Sequence, residues 1–439
     1  MRRNSLSAYL LYLAVLALPL SYGTKDWFSL DVRWIPPSLL LALLSALLQP
    51  KLGKTDFGTS VLATLVCWAL ATSLSGALRW WPEVGDLAAL YRVIRYPALL
   101  ALSVALFLRT RAFLLSSPLG SQVLLSCLSL AVTLELILAI YLAFAASRWD
   151  SLPFAQLGRL RCEAQTLKLL EKLPLCRLTG TFGEGPQFGL FMLVSMVLFS
   201  TALITLPRRR PLTLRSLYVG LLLSAVGSFM SLSDQIFIAA AVFLLALVAL
   251  AFKKRRLMLC IAALAASGVV VVVSWANLSW KLNQADLATH APSPLGTSIG
   301  ERLFHAKFVL TELITTPYTF VFGVGQGRYG DYVSSIEVVF PDTTSPQWVL
   351  IAWLAEYGVI GAFGWLVFLG WVLFRAWKSY GILGLGATLS LVAGNMFQAQ
   401  WVSEAWFFGL AFLTAPSPTP ARRSGSPLAG QQGLRLSAA

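Results

Sequence analysis

The segment Pro186 to Arg210, PQFGLFMLVSMVLFSTALITLPRRR, decides the fold of this chain. It runs from Pro186 to Thr205 without a charged residue, which is long enough to cross about 30 Å of hydrocarbon as one helix. An arginine run, Arg208–Arg210, follows, and basic residues collect in the short loops on the cytoplasmic side of a membrane. The segment is therefore predicted to be a transmembrane helix that ends at the cytoplasm.

Apolar stretches of the same kind recur along the 439 residues, 57% of which are hydrophobic and only 12% charged. Soluble domains carry about twice that charged fraction, so a soluble enzyme, a disordered chain and a fibrous repeat are excluded. The sequence predicts an all-α, polytopic integral membrane protein of about twelve transmembrane helices. The predicted spans lie near 6–22, 34–49, 58–78, 93–108, 119–146, 187–206, 213–231, 235–252, 257–275, 348–374, 380–397 and 401–415.

The net charge of +15 invites a nucleic-acid interpretation, but its location argues against one. With a cytoplasmic amino terminus, the inner loops collect most of the cations, in runs such as Lys253–Arg256, and a single acid, Asp56. The positive-inside rule explains this excess, so no nucleic-acid partner is expected. Both termini are predicted to be cytoplasmic and the first span to be retained rather than cleaved. Residues 1–415 form the membrane domain, and residues 416–439, rich in Pro, Ser, Gly and Ala, form a disordered cytoplasmic tail.

Two long outer loops, at 147–186 and 277–346, hold most of the outward-facing charge and both histidines. Chemistry or recognition is therefore predicted at the outer face. Cys162 and Cys176 lie in the first loop and could form a disulfide in an oxidising compartment. Neither cysteines nor histidines have zinc-ligand spacing, so no metal is expected.

The second outer loop has readable local structure. Ser298 and Glu301 have capping-box spacing, which predicts a helix to about Thr315, with Arg302 and His305 on one polar face. The GVGQGRYG stretch that follows, from residue 323 to 330, is either a tight connection or a place of close backbone approach.

The first outer loop ends in RLTGTFGEGPQFG, which starts at Arg177. An arginine followed by glycines at a membrane boundary is either a phosphate clamp or an interfacial contact to bulk lipid. Glu135, within a span, is predicted to face the bundle interior, with Arg92 or Arg95 as partner; a proton relay is the alternative.

These motifs, in this order, resemble the O-antigen ligase and O-antigen polymerase superfamily over residues 175–365. The similar elements are Arg-x-x-Gly-Thr-Phe from Arg177, the Ser231 and Ser233 pair, an arginine that opens a helix, the Gly-x-Gly-x-Gly turn, and Ala355-Glu-Tyr-Gly-Val-Ile-Gly361. The resemblance implies a helical fold of the C-type glycosyltransferase kind. It also implies transfer of a glycan from a polyprenyl diphosphate carrier to a glycan or lipid-linked acceptor, at the outer face of the bacterial inner membrane, without metal or cofactor.

The resemblance also implies roles for individual residues. Residues expected to bind the diphosphate are Arg177, Gly180, Arg302, Gly325, Gly327 and Arg328. Glu356 and Gly358 are expected to be structural residues near the site. The chain departs from the family pattern at Asp234, where an arginine is usual, and at Gln347, where the ligases have a histidine. Gln347 is expected to line the acceptor side. The candidate replacement bases are Asp234, Glu184, Asp331, Asp342 and His305.

Two other function classes stay open. A polysaccharide or small-solute transporter predicts internal repeats and polar residues at mid-membrane, whereas this chain shows no repeat and concentrates charge outside. An inactive glycan-binding homologue would accommodate the two departures.

Overall fold

The computed structural model describes much of the chain. The described residues are 2–21, 36–49, 56–84, 87–117, 120–148, 178, 182, 185–205, 211–231, 233–253, 268, 305–313, 315–335, 348–396 and 403–415.

Regular structure within these ranges is helical, without a strand. The helices are α1 Arg2–Leu16, α2 Pro37–Leu48, α3 Phe57–Val84, α4 Leu87–Ser116, α5 Gly120–Arg148, α6 Gly185–Thr205, α7 Pro211–Met230, α8 Asp234–Lys253, α9 Pro317–Phe322, α10 Tyr329–Ser335, α11 Val349–Tyr380, α12 Ile382–Asn395 and α13 Glu404–Thr414. A 3-10 turn, Leu18–Ser21, follows α1, and a π-helical turn, Val309–Leu313, precedes α9.

Seven of the described helices are long and apolar enough to cross a membrane, which confirms a polytopic membrane protein. Four predicted spans correspond to shorter apolar helices, Ser5–Leu16, Pro37–Leu48, Ile382–Asn395 and Glu404–Thr414. The predicted span at 257–275 lies outside the described residues, apart from Gly268. The number twelve therefore stays a prediction. The seven spanning segments are Phe57–Arg79, Val93–Ser116, Gly120–Ala143, Pro186–Thr205, Thr213–Met230, Asp234–Lys253 and Val349–Tyr380.

The core of the bundle lies around α6 and α13. In the apolar window of α6, 78% of the residues are buried, whereas the corresponding share in α7 is 28%. All residues of α13 are buried, and this helix packs against α4, α6, α11 and α12. Such a helix is apolar on every side because protein surrounds it, whereas the exposed apolar side chains of α7 suit contact with lipid. Glu135 on α5 is also buried, which confirms that it faces the bundle interior.

The structure contradicts part of the predicted topology at one end of the bundle, which we call the arginine end because Arg109 and Arg111 are buried there. The sequence placed Arg109 and Arg111 in a loop after a span ending at 108, but α4 continues to Ser116 and buries both side chains. The Arg109 Nε donates to Ser45 Oγ at 2.9 Å, and its Nη2 donates to Ser7 Oγ at 2.8 Å and Gln49 Oε1 at 2.7 Å. These contacts join α1, α2 and α4, so Arg109 acts as a packing residue rather than as a loop charge.

Arg111 forms an ion pair with Asp56, and its guanidinium also lies over the Trp371 ring, 5.0 Å from the centroid. Burial of the Asp56 carboxyl disfavours its charge, but hydrogen bonds from Arg111 and Thr59 outweigh burial and hold the pKa of Asp56 below its usual value. This pair ties α4 to the start of α3 and to α11.

We expect Asp56→Asn to lower the apparent melting temperature in detergent at pH 7, and to lower it less as the pH falls below about 3.9. A carboxyl whose folded pKa is depressed stabilises the fold above its unfolded pKa of about 3.9, and that contribution disappears as the pH falls through the folded value. Melting curves of both proteins across this range measure the difference. A difference that is the same at pH 7 and pH 3 would contradict the ion pair's contribution.

Candidate functional site

The opposite end of the bundle holds the glycine turn, residues 323–328, and we call it the loop end. The turn is hydrogen-bonded to α11. The Val324 amide donates to the Ala355 carbonyl at 2.8 Å, and the Gly325 amide donates to the Glu356 carbonyl at 3.0 Å. The Gly327 amide donates to Glu356 Oε1 at 3.0 Å. One buried glutamate thus holds the turn through both its backbone and its side chain.

The α11 helix accepts these bonds because it is kinked at Gly358, where φ is +64°. Carbonyl groups that would bond within a straight helix are turned toward the glycine turn instead. A Cβ at Gly358 would overlap the Val321 carbonyl, and a Cβ at Gly323, where φ is +76°, would overlap the Glu356 carbonyl. Both positions therefore require glycine, for the positive φ and for the close approach of two backbones.

Two further helices enclose the turn from the other side. A Cβ at Gly325 would come within 2.8 Å of the Thr72 carbonyl on α3, and a Cβ at Gly327 would overlap the Tyr96 ring on α4. Thr72 lies within the charge-free stretch 57–78 of α3, two helical turns, or about 10 Å, before Arg79. The glycine turn therefore packs beside the charge-free part of α3, and non-helical backbone next to membrane helices is stable where protein surrounds it.

Arg328 ends this turn and is fully buried. Its amide donates to the Gly325 carbonyl at 3.1 Å, and its side-chain stem lies beside Gly325. A charged side chain at membrane depth costs about 2.5–3.5 kcal/mol on insertion scales, which makes it a candidate functional residue. Five predicted site residues, Gly325, Gly327, Arg328, Glu356 and Gly358, thus belong to one structural unit.

His305 lies beside this unit and is buried, with 2% of its surface exposed. Its Nδ1 is 3.0 Å from the Tyr329 hydroxyl, and Phe308 and Tyr332 pack in the same cluster. The predicted polar face of the 298–315 helix is wrong at this position, because His305 turns toward Tyr329. Burial lowers the pKa of His305, so the imidazole is neutral near pH 7 and chemically able to accept a proton.

A second group of predicted residues surrounds the start of α8. The Leu178 amide donates to the Met230 carbonyl at 3.2 Å, and a Cβ at Gly189 would approach Ser231 Oγ at 2.6 Å. Asp234 is the first residue of α8 and is half-buried. The residue next to Arg177 thus contacts the end of α7, beside Ser231.

Both groups lie at the loop end, although they rest on different helices. Ser390 Oγ on α12 donates to the Ala239 carbonyl on α8 at 2.7 Å, so the end of α12 lies near the start of α8. The Val349 amide donates to the Met396 carbonyl at 2.9 Å, which brings the start of α11 to that same end. The glycine turn itself contacts α3, α4 and α11.

Other predicted positions lie outside the described residues, and their roles stay predictions. They are Arg177, Gly180, Glu184, Arg302, Asp342, Gln347, the side chain of Asp331, the Ser298 and Glu301 capping box, the Cys162 and Cys176 pair, and the 416–439 tail. In the part of the chain that the structure covers, no group of three or more His, Cys, Asp or Glu side chains could hold a metal ion.

One feature of the loop end could not be predicted from the sequence. Arg79 on α3 is exposed, and its guanidinium carbon lies 4.6 Å from the centre of the Tyr318 ring on α9. The Tyr318 hydroxyl is hydrogen-bonded to Ser75 Oγ. No sequence pattern links these residues, because 243 positions separate Ser75 from Tyr318.

No protein-family model and no curated protein matches this chain. The resemblance to the O-antigen ligase superfamily therefore depends on the motifs and their order, and the activity it implies is a proposal.

Proposed function

We propose that this protein transfers or polymerises a polyprenyl diphosphate-linked glycan at the outer face of the bacterial inner membrane, as a metal-independent glycosyltransferase. The observation that carries the proposal is the glycine turn, which Glu356 holds on the kink of α11 and which ends in the buried Arg328. Turn, glutamate and kink glycine are the elements whose order resembles the superfamily.

The electrostatics of the proposed reaction support an arginine-based site. When the glycan leaves its carrier, negative charge grows on the diphosphate, and fixed positive charge stabilises that transition state. In a low-dielectric surrounding such charge acts more strongly than in water. Arg328 is fully buried, so it contributes positive potential through the turn, while Arg177 and Arg302 are the residues proposed to contact the diphosphate.

The acceptor hydroxyl needs a base within hydrogen-bond reach. Gln347 cannot remove a proton near neutral pH. The proposed base is therefore one of the other candidates, which are Asp234, Glu184, Asp331, Asp342 and His305. His305 is neutral and Asp234 opens the second group of residues, so both suit this role chemically. Gln347 is proposed to line the acceptor side.

We expect Arg177→Ala and Arg302→Ala each to reduce glycan transfer by about 100-fold or more, the loss typical when one donor to a developing anion is removed. The assay uses purified protein with a polyprenyl diphosphate-linked oligosaccharide and follows chain elongation or transfer by gel electrophoresis. Lys378→Gln is the matched control, because it removes an exposed cation from the other end of α11.

The outcomes separate the three function classes. If the wild type transfers glycan and both arginine variants transfer it equally well, the proposed site is wrong. A wild type that moves the glycan across vesicles without transferring it would indicate a transporter. Binding of the glycan without transfer or transport would indicate an inactive homologue.

A further inference from the structure

We propose that Arg79 binds the phosphate groups of the lipid carrier where they meet the protein, at the outer edge of the membrane. This inference rests on the proposed function and adds to it a binding residue on α3, outside both outer loops. The ligand it takes is an isoprenoid diphosphate.

The position of Arg79 fits a lipid phosphate. It is the first charged residue after the charge-free stretch 57–78 of α3, and arginines near the ends of membrane helices extend to the lipid headgroups. Its side chain is exposed, whereas Arg328 in the glycine turn is fully buried. A donor that arrives from the bilayer can therefore contact Arg79 first.

The contact with Tyr318 prepares the guanidinium for such a ligand. Stacking on a ring uses the flat face of the group, whereas phosphate binding uses the N–H groups along its edge, so one arginine can do both. The bond between Ser75 and the Tyr318 hydroxyl holds the ring in place. A guanidinium that is already oriented loses less entropy on binding than one on a mobile side chain.

An exposed apolar stripe on α3 leads to Arg79. Leu70, Leu74 and Leu78 recur at four-residue intervals, which places them on one helix face, and they are 54%, 54% and 76% exposed. An isoprenoid chain lying along this stripe would bring its diphosphate to the height of Arg79. The apolar stripe suits the isoprenoid chain of the carrier, and Arg79 at the outer end of the stripe suits its diphosphate.

A series of side-chain contacts also connects Arg79 to the glycine turn. Tyr318 belongs to α9, whose last residue, Phe322, stacks on Trp68 with ring centres 5.7 Å apart. Trp68 Nε1 donates to the Tyr357 carbonyl at 3.0 Å, next to the kink in α11. A diphosphate held at Arg79 is thus held by the same packed unit that carries the turn and Glu356.

The test measures binding of undecaprenyl diphosphate to the full-length protein in nanodiscs of neutral lipid. We expect Arg79→Gln to weaken binding about tenfold or more, as expected for one charge-assisted contact, and Arg79→Lys to weaken it less. Tyr318→Leu should have an intermediate effect, because it removes the ring and leaves the charge. Lys378→Gln should bind as the wild type does.

Phosphatidylglycerol serves as the comparison ligand. Weaker binding of undecaprenyl diphosphate with unchanged phosphatidylglycerol binding supports a carrier site. Equal losses for both lipids would show a general headgroup contact and overturn the proposal, as would an Arg79→Gln protein that binds the carrier normally. In that last case transfer that still depends on Arg177 would leave the proposed function intact. A wild type that neither binds the carrier nor transfers glycan would refute the function itself.

Discussion

Alanine at Gly358 should destabilise the protein by about 3 kcal/mol or more and abolish glycan transfer. The backbone there has φ of +64°, which costs an alanine roughly 1–2 kcal/mol, and the added Cβ would overlap the Val321 carbonyl. The clash can be relieved only if α9 and the glycine turn move away from α11. That movement would break the bonds from Val324 and Gly325 and release the turn from the site.

Gly370→Ala is the control, because it makes the same chemical change on the same helix. Gly370 is helical, and no atom lies within 4 Å of its ideal Cβ position, so alanine there should be neutral or stabilise the helix by up to about 1 kcal/mol. Thermal melting in detergent and transfer activity measure both variants. If Gly358→Ala and Gly370→Ala melt at the same temperature, the kink does not require glycine and the described contact between turn and helix is wrong.

The transmembrane helices could be predicted well where composition alone defines them. The span predicted at 187–206 is observed as Gly185–Thr205, because a charge-free stretch of bilayer length has few alternatives to a helix in lipid. The end of α4 was predicted wrongly because composition alone does not show which partners a charged residue finds. Hydropathy places Arg109 outside the membrane, but the helix continues because Ser7 and Ser45, from distant helices, hydrogen-bond its guanidinium.

The candidate site was only partly predictable. Glycine spacing indicated a special turn, and Gly323, Gly325 and Gly327 do have positive φ. Its partners could not be foreseen, because Tyr96 and Thr72 approach those glycines only after α3, α4 and α11 have packed. Nor does a sequence show that His305 turns toward Tyr329, since that choice depends on which face of the segment tertiary packing buries.

Glu356→Ala should lower stability by about 1–3 kcal/mol and strongly reduce transfer, whereas Glu356→Gln should keep most of both. The Glu356 carboxylate accepts the Gly327 amide at 3.0 Å in a buried setting, and removing the acceptor leaves that amide without its bond. A glutamine oxygen can accept the same bond. The expected order of melting temperature and of activity is wild type, then glutamine, then alanine.

The glutamine variant separates a structural role from a chemical one. If Glu356 only holds the glycine turn, the turn keeps its position in Glu356→Gln, and activity should fall less than tenfold. If the carboxylate itself takes up a proton or balances charge in the reaction, glutamine should be as inactive as alanine while melting close to the wild type. Loss of activity at normal stability would therefore show that the Glu356 carboxylate takes part in the reaction and does not only support the turn. Retained activity would show that the bond to Gly327 is its main contribution, because the amide accepts that bond without carrying charge.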